Sequence, residues 1–247
     1  MSTGIDRNPK VIAGLDGFAS QALANEEVAD SYVALLASLK LQLKLRARSS
    51  VLVTSARPGE GKTTVSSCLA SIATLTGEKV ILVDGDLRRR SLTTALGLSQ
   101  KVGLGELLAG EVESKAVIQT IQQTIARLGT AQSYVIPSGR RSPKTLPAIA
   151  WTEARALFET AIEGYALVLI DSPPLLAAND ALLLANLVEG VLLVVDAENS
   201  ILNEIKLAKQ QLDRSGIPVL GAILNRFDPR IHGPGRQPYR GYDVTEV

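Results

Sequence analysis

Lys62 and three aspartates, Asp84, Asp86 and Asp171, are the residues of this chain whose types and settings could do chemistry. Lys62 lies in the stretch Ser55-Ala56-Arg57-Pro58-Gly59-Glu60-Gly61-Lys62-Thr63-Thr64. An apolar run rich in β-branched residues (Val51, Leu52, Val53, Thr54) precedes it, and a helix-like run from Val65 to Leu75 follows. Gly59 and Gly61 let the backbone curl with its N–H groups inward, where a side chain would block a phosphate. A helix opening near Lys62 adds its positive N-terminal end. Lys62 can reach β- and γ-phosphates, and the Thr63 hydroxyl can ligate Mg²⁺. The strict form of such a loop has glycine where this chain has Ala56. The pattern predicts nucleoside triphosphate binding by Pro58, Gly59, Glu60, Gly61, Lys62, Thr63 and Thr64.

The aspartates complete a candidate site. Val80-Ile81-Leu82-Val83 ends in Asp84-Gly85-Asp86, and Leu167-Val168-Leu169-Ile170 ends in Asp171. A carboxylate at the carboxyl end of a strand, beside a phosphate loop, can hold Mg²⁺ or orient a nucleophile. A single such Asp usually just caps the next turn; three of them on two strands favour a metal site. Arg88, Arg89 and Arg90 follow at once and could neutralise phosphates or form a solvated helix start.

The elements that must position these residues alternate. Apolar strand-like runs occupy 51–55, 80–84, 133–136, 166–171, 191–196 and 217–224, with helical stretches at 62–76, 88–96, 104–109, 114–127, 152–163, 180–187 and 201–214. Continuous apolar strands are buried on both faces, and helices between them imply right-handed crossovers. The expected fold is α/β, a mainly parallel sheet flanked by helices, with ligands at the carboxyl ends of the strands. Before it, 26–45 shows helical period in Val28, Tyr32, Leu35, Leu36, Leu39 and Leu43. Lys40, Lys44, Arg46 and Arg48 then suit either an anionic membrane surface or a solvated helix end. The expected division is an N-terminal arm at 1–25, a domain at 26–228, and a flexible Gly/Pro-rich tail at 229–247.

Bulk composition narrows the function. The 247 residues carry 26 basic and 25 acidic side chains, so no global field argues for a nucleic-acid partner. No apolar run is long enough to span a bilayer, and no signal peptide is visible. The single cysteine, Cys68, excludes an internal disulfide and suits a reducing cytoplasm. It falls on the apolar helix after the loop, where packing is its expected role. The only histidine, His232, lies in the polar tail.

Three segments together resemble the bacterial tyrosine kinases of exopolysaccharide and capsule export: VTSARPGEGKTT (53–64), ILVDGDLRRRSL (81–92) and LVLIDSPPLL (167–176). They match that family's PGEGK loop, its hhhDxDxR strand and its hhhDxPP strand. VIPSGRRSPKTL (135–146), VEGVLLVVDAENS (188–200) and GIPVLGAILNRFD (216–228) agree with further family segments. The resemblance covers about 26–228, and implies a phosphate-loop ATPase fold of the MinD/ParA type. It implies ATP and Mg²⁺, with Lys62 on the phosphates and Thr63 on the metal. One of Asp84 and Asp86 would assist Mg²⁺ and the other, with Asp84 preferred, would deprotonate an incoming tyrosine. Asp171 would hold Mg²⁺ through water. Arg57 stands where MinD-type ATPases place a signature lysine, and Asn225 and Arg226 where that superfamily contacts the adenine. Tyr239 and Tyr242 would be the phosphoacceptors.

The resemblance thus implies an ATP-dependent tyrosine autokinase regulating polysaccharide export. It would be cytoplasmic and recruited to the inner face of the plasma membrane by a membrane-bound co-polymerase that activates it. Two other functions fit the same loop: a MinD/ParA-like ATPase switch, and a catalytically weak nucleotide-bound assembly factor. The tail holds only two tyrosines. The family's oligomerisation helix reads E-x-x-R-x-x-R, against Asp30, Val33 and Leu36 here. Neither Val nor Leu can replace an arginine in a bidentate salt bridge. Self-association is expected, but not the ring held through those arginines.

Overall fold

The computed structural model describes residues 10–11, 15–43, 48–98, 102–125, 128–140, 151–228 and 231. Among the described residues eight strands form one sheet: β1 (Lys10–Val11), β2 (Ser49–Ser55), β3 (Val80–Asp84), β4 (Gln119–Ile125), β5 (Gly129–Ile136), β6 (Leu167–Asp171), β7 (Gly190–Asp196) and β8 (Val219–Asn225). Their order across the sheet is β1-β4-β5-β3-β6-β2-β7-β8. From β5 to β8 every neighbour is parallel, and only β4 pairs antiparallel, with β5. The strands β2, β3 and β6 are buried along their whole length, which is why they read as unbroken apolar runs.

Helices cover both faces. The first group is α1 (Leu15–Leu23), α2 (Glu26–Gln42), α3 (Lys62–Leu75) and α4 (Ser91–Ala95). These pack in one core layer with Val51, Val53, Leu82 and Leu169 of the sheet. The second group is α5 (Leu104–Leu108), α6 (Trp151–Ala161), α7 (Asp180–Ala185) and α8 (Leu202–Arg214). These pack in the other layer with Leu52, Ile81, Val83, Val168 and Ile170. Neighbouring strand residues thus enter opposite layers, as the pleat requires.

Three expectations change. The described part of the helix expected at 114–127, residues 114–125, is not an α-helix: a 3₁₀ turn at Ser114–Val117 is followed by β4, which pairs antiparallel with β5. Ile121 and Ile125 are both buried, and a spacing of four fits one face of a helix or of a strand. The β-branched density of 120–125 and Gly129, at φ +108°, decide for the antiparallel pair. The helix expected over 88–96 is confined to α4. Asp86 Oδ1 accepts the N–H groups of Arg88 (3.2 Å) and Arg89 (2.9 Å), and Arg90 turns left-handed at φ +53°. Within the presumed arm, 15–23 is a helix: Ala19 and Leu23 are buried against the first core layer.

Helix α2 ends at Gln42 and buries Tyr32, Leu36 and Leu39. Its basic end is engaged within the molecule, Lys40 with Glu78 and Arg48 with Glu159. Lys44, Arg46, His232, Tyr239 and Tyr242 lie outside the described residues. Among the described residues no helix is long and apolar enough to cross a membrane.

Phe158 on α6 is fully buried in the second layer. Phe158→Ala should therefore lower unfolding free energy by about 3–5 kcal/mol. Urea denaturation of the two proteins measures this, and a loss below about 1 kcal/mol would mean that α6 is not seated as described.

Candidate nucleotide site

The parallel register aligns the carboxyl ends of three central strands. Asp171 of β6 is the pairing partner of Val53 in β2 and of Asp84 in β3. The phosphate loop leaves β2 here and enters α3. Gly59 (φ +86°) and Gly61 (φ +95°) both take the left-handed conformation that glycine accepts without strain. Gly61 has a second reason: a Cβ there would lie 2.0 Å from Asn225 Nδ2. Arg57 N–H donates to Glu60 Oε2 at 2.7 Å, and Ser55 Oγ donates to Arg57 O at 2.6 Å, so the curl is closed by its own side chains.

A cavity of about 280 Å³ opens over this loop. It is lined by Pro58, Gly59, Gly61, Lys62, Thr63, Thr64, Asp86, Arg89, Ser91, Asp171, Ser172, Pro174 and Arg226. Lys62 is buried, and its Nζ donates to Ser55 Oγ at 3.1 Å. Burial lowers its pKa, opposed by the charges of Asp171, Asp86 and Glu60. Thr63 Oγ1 donates to Asp171 Oδ2 at 2.7 Å. Asp171 is only 2% exposed, and its other oxygen, Oδ1, is buried with no hydrogen-bond partner. Burial, then the neighbouring Asp84 charge, pushes its pKa up to about 7.

These groups fit a magnesium–triphosphate ligand. Among the described residues no cluster of three His, Cys, Asp or Glu could hold a metal alone. Mg²⁺ in phosphate sites needs only one or two protein ligands, the rest being phosphate oxygens and waters. Thr63 Oγ1 and the unmatched Asp171 oxygen would be two such ligands.

Asp84 is placed elsewhere. It is fully buried, outside the cavity lining, and all its bonds point into the protein. Its Oδ2 accepts Thr93 N–H at 2.7 Å and Thr93 Oγ1 at 2.6 Å, while Oδ1 accepts Asp86 N–H at 3.1 Å. Burial raises its pKa to about 6 against those hydrogen bonds. Asp84 is a strut that holds α4 to the sheet, and Asp86 is the carboxylate of this pair that faces the cavity.

The remaining expected residues divide. Arg226 lines the cavity, and Asn225 Nδ2 donates to Glu60 O at 3.0 Å. Both also border a cleft of about 530 Å³ walled by Val28, Tyr32, Leu35, Thr64, Ile223 and Phe227. Arg57 and Glu60 are absent from the cavity lining. The Arg57 side chain turns to α8, its Nε 3.1 Å from Glu204 Oε2, a charge contact without hydrogen-bond alignment. Arg88 pairs with Asp180 at 2.7 Å and Arg89 lines the cavity, so these two arginines have separate environments. Sequence reasoning missed Ser55 and Ser172. Both lie inside the quoted motifs, at positions to which those motifs assign no role.

Thr93 bonds Asp84 from outside the cavity and also accepts Ser138 N–H at 2.9 Å. Thr93→Val should destabilise the fold by about 1–3 kcal/mol, by leaving buried partners unmatched, and leave nucleotide affinity unchanged. Denaturant unfolding and nucleotide titration check the two halves. A loss of affinity without a loss of stability would return Asp84 to the site.

Comparison with known proteins agrees with this geometry. Residues 51–237 match the model of the CobQ/CobB/MinD/ParA nucleotide binding domain. Tyrosine-protein kinase YwqD of Bacillus subtilis is 32% identical over 180 residues, 73% of this chain and 73% of that protein. Tyrosine-protein kinase etk of Escherichia coli is 35% identical over 207 residues, 82% of this chain. The chain spans only 28% of the length of that second relative. The solved kinase domain of Escherichia coli ETK superposes with a TM-score of 0.70 at 30% identity, covering 92% of this chain and 86% of that one. The chain therefore belongs to the CobQ/CobB/MinD/ParA nucleotide-binding family, and within it to the branch of the bacterial tyrosine-protein kinases.

Proposed function

We propose that this chain is the catalytic module of an ATP-dependent protein-tyrosine kinase that phosphorylates tyrosines of its own kind. The observation that carries the reading is the convergence of Lys62, the Thr63–Asp171 pair and Asp86 on one cavity at the strand ends. The relatedness to YwqD and etk supplies the reaction class.

Bound Mg-ATP would supply the phosphoryl group and much of the charge neutralisation of its transfer. Lys62 and the loop N–H groups would bind the phosphates, and Thr63 with Asp171 would hold the metal. Arg89, at the cavity wall, would offset negative charge on the transferring group. Among the described residues Asp86 is the only cavity carboxylate besides Asp171, and it takes over the base role expected of Asp84. It would accept the phenol proton as the tyrosine oxygen attacks. The cleft beside Asn225 and Phe227 has the apolar walls that a nucleobase needs. Tyr239 and Tyr242 remain the proposed acceptors, presented to a neighbouring copy. A membrane-bound co-polymerase of polysaccharide export is the proposed activator, and would recruit the chain to the inner membrane face.

Intact-mass measurement after incubation with Mg-ATP tests the reading. The expected result is a phosphate gain that maps to Tyr239 or Tyr242 and is absent in Lys62→Met. Asp86→Asn should slow incorporation about a hundredfold or more while still binding nucleotide. ADP release with no protein phosphorylation, in the presence of the membrane activator, would instead identify an ATPase switch.

A further inference from the structure

Three side chains that do not line the cavity tie the phosphate loop to the far edge of the sheet. Glu60 is 4% exposed; its Oε1 accepts the Ser200 hydroxyl while Oε2 holds Arg57 N–H at 2.7 Å. The Ser200 oxygen in turn accepts Asp196 N–H at 2.8 Å, and Ser200 N–H donates to Asp196 O at 3.0 Å. Asp196, buried at the end of β7, pairs through Oδ2 with Arg226. Asn225 closes the circuit through its 3.0 Å bond to Glu60 O.

Two features make the circuit more than packing. Arg226 is held left-handed at φ +58°, a conformation sparsely populated by residues other than glycine, and it faces the cavity. The loop it secures contains two left-handed glycines, whose free backbones sample many conformations other than the curl. A loop that occupies its binding conformation for only part of the time loses affinity in proportion.

We propose that Glu60, Ser200 and Asp196 are positioning residues, a hydrogen-bonded latch that keeps the phosphate loop curled and Arg226 turned to the cavity. The inference rests on the nucleotide-binding reading of the site. Phosphate affinity is then set in part by residues that touch no ligand. Glu204, in the first turn of α8, adds a second tether through Arg57.

The test is calorimetric titration of the full chain with Mg-ADP and with Mg-tripolyphosphate, at a temperature where circular dichroism shows every variant folded. Ser200→Ala and Glu60→Gln should weaken both ligands about tenfold and by similar factors, because the defect lies at the loop. Glu60→Gln keeps the shape but cannot accept both donors. Ser200→Thr, which restores a hydroxyl, should recover most of the affinity. Variants that lose thermal stability yet bind both ligands as wild type does would overturn the latch. So would a loss confined to Mg-ADP. A wild-type chain that binds neither ligand would overturn the nucleotide reading itself, and the latch with it.

Discussion

Asp171 sets the terms for the rest of the site. A carboxylate at the middle of an α/β/α sandwich, 2% exposed and with one oxygen unmatched, is costly to bury. The protein provides one hydroxyl, from Thr63, and surrounds the group with Asp84, Asp86 and Lys62. In the proposed site a cation with phosphate oxygens would match the unpaired oxygen, and that match would be part of the binding energy.

The sheet makes this possible because its register is fixed by buried faces. A slip of one residue in β6 would turn Asp171 to the opposite layer and expose the apolar row that now fills the core. The two core layers therefore position the chemistry as firmly as any local bond. At the periphery the means differ. The curl of the loop depends on Ser55, Glu60 and Asn225, and the turn after Asp86 on that residue's own carboxylate. Short polar side chains at loop ends hold what the layers cannot.

Much of this was readable from the sequence, for definite reasons. Strands buried on both faces leave continuous apolar runs, so β2, β3, β6 and β7 stood out, and the phosphate loop announced itself by glycines between a strand and a helix. The β4–β5 pair was lost because Ile121 and Ile125 satisfy helical and strand spacing alike. Helix α1 was lost because the chain around it lacks a strong period. Asp84 and Asp86 could not be told apart, since a D-x-D pair looks symmetric until Thr93, nine residues on, is seen to occupy Asp84. Asp196 and Ser200 lie in the 188–200 segment, but their role was not readable there: their partners are Arg226 and Glu60, and only the folded sheet brings those segments together.

The central claim is that Thr63 and Asp171 are the protein's share of a magnesium–nucleotide site. The most direct measurement is ADP affinity with and without Mg²⁺ for the wild type, Thr63→Ala and Asp171→Asn. The account predicts that Mg²⁺ tightens binding by about tenfold or more in the wild type, and that both variants bind ADP but lose most of that gain. An equal gain from Mg²⁺ in all three proteins would contradict it and place the metal elsewhere.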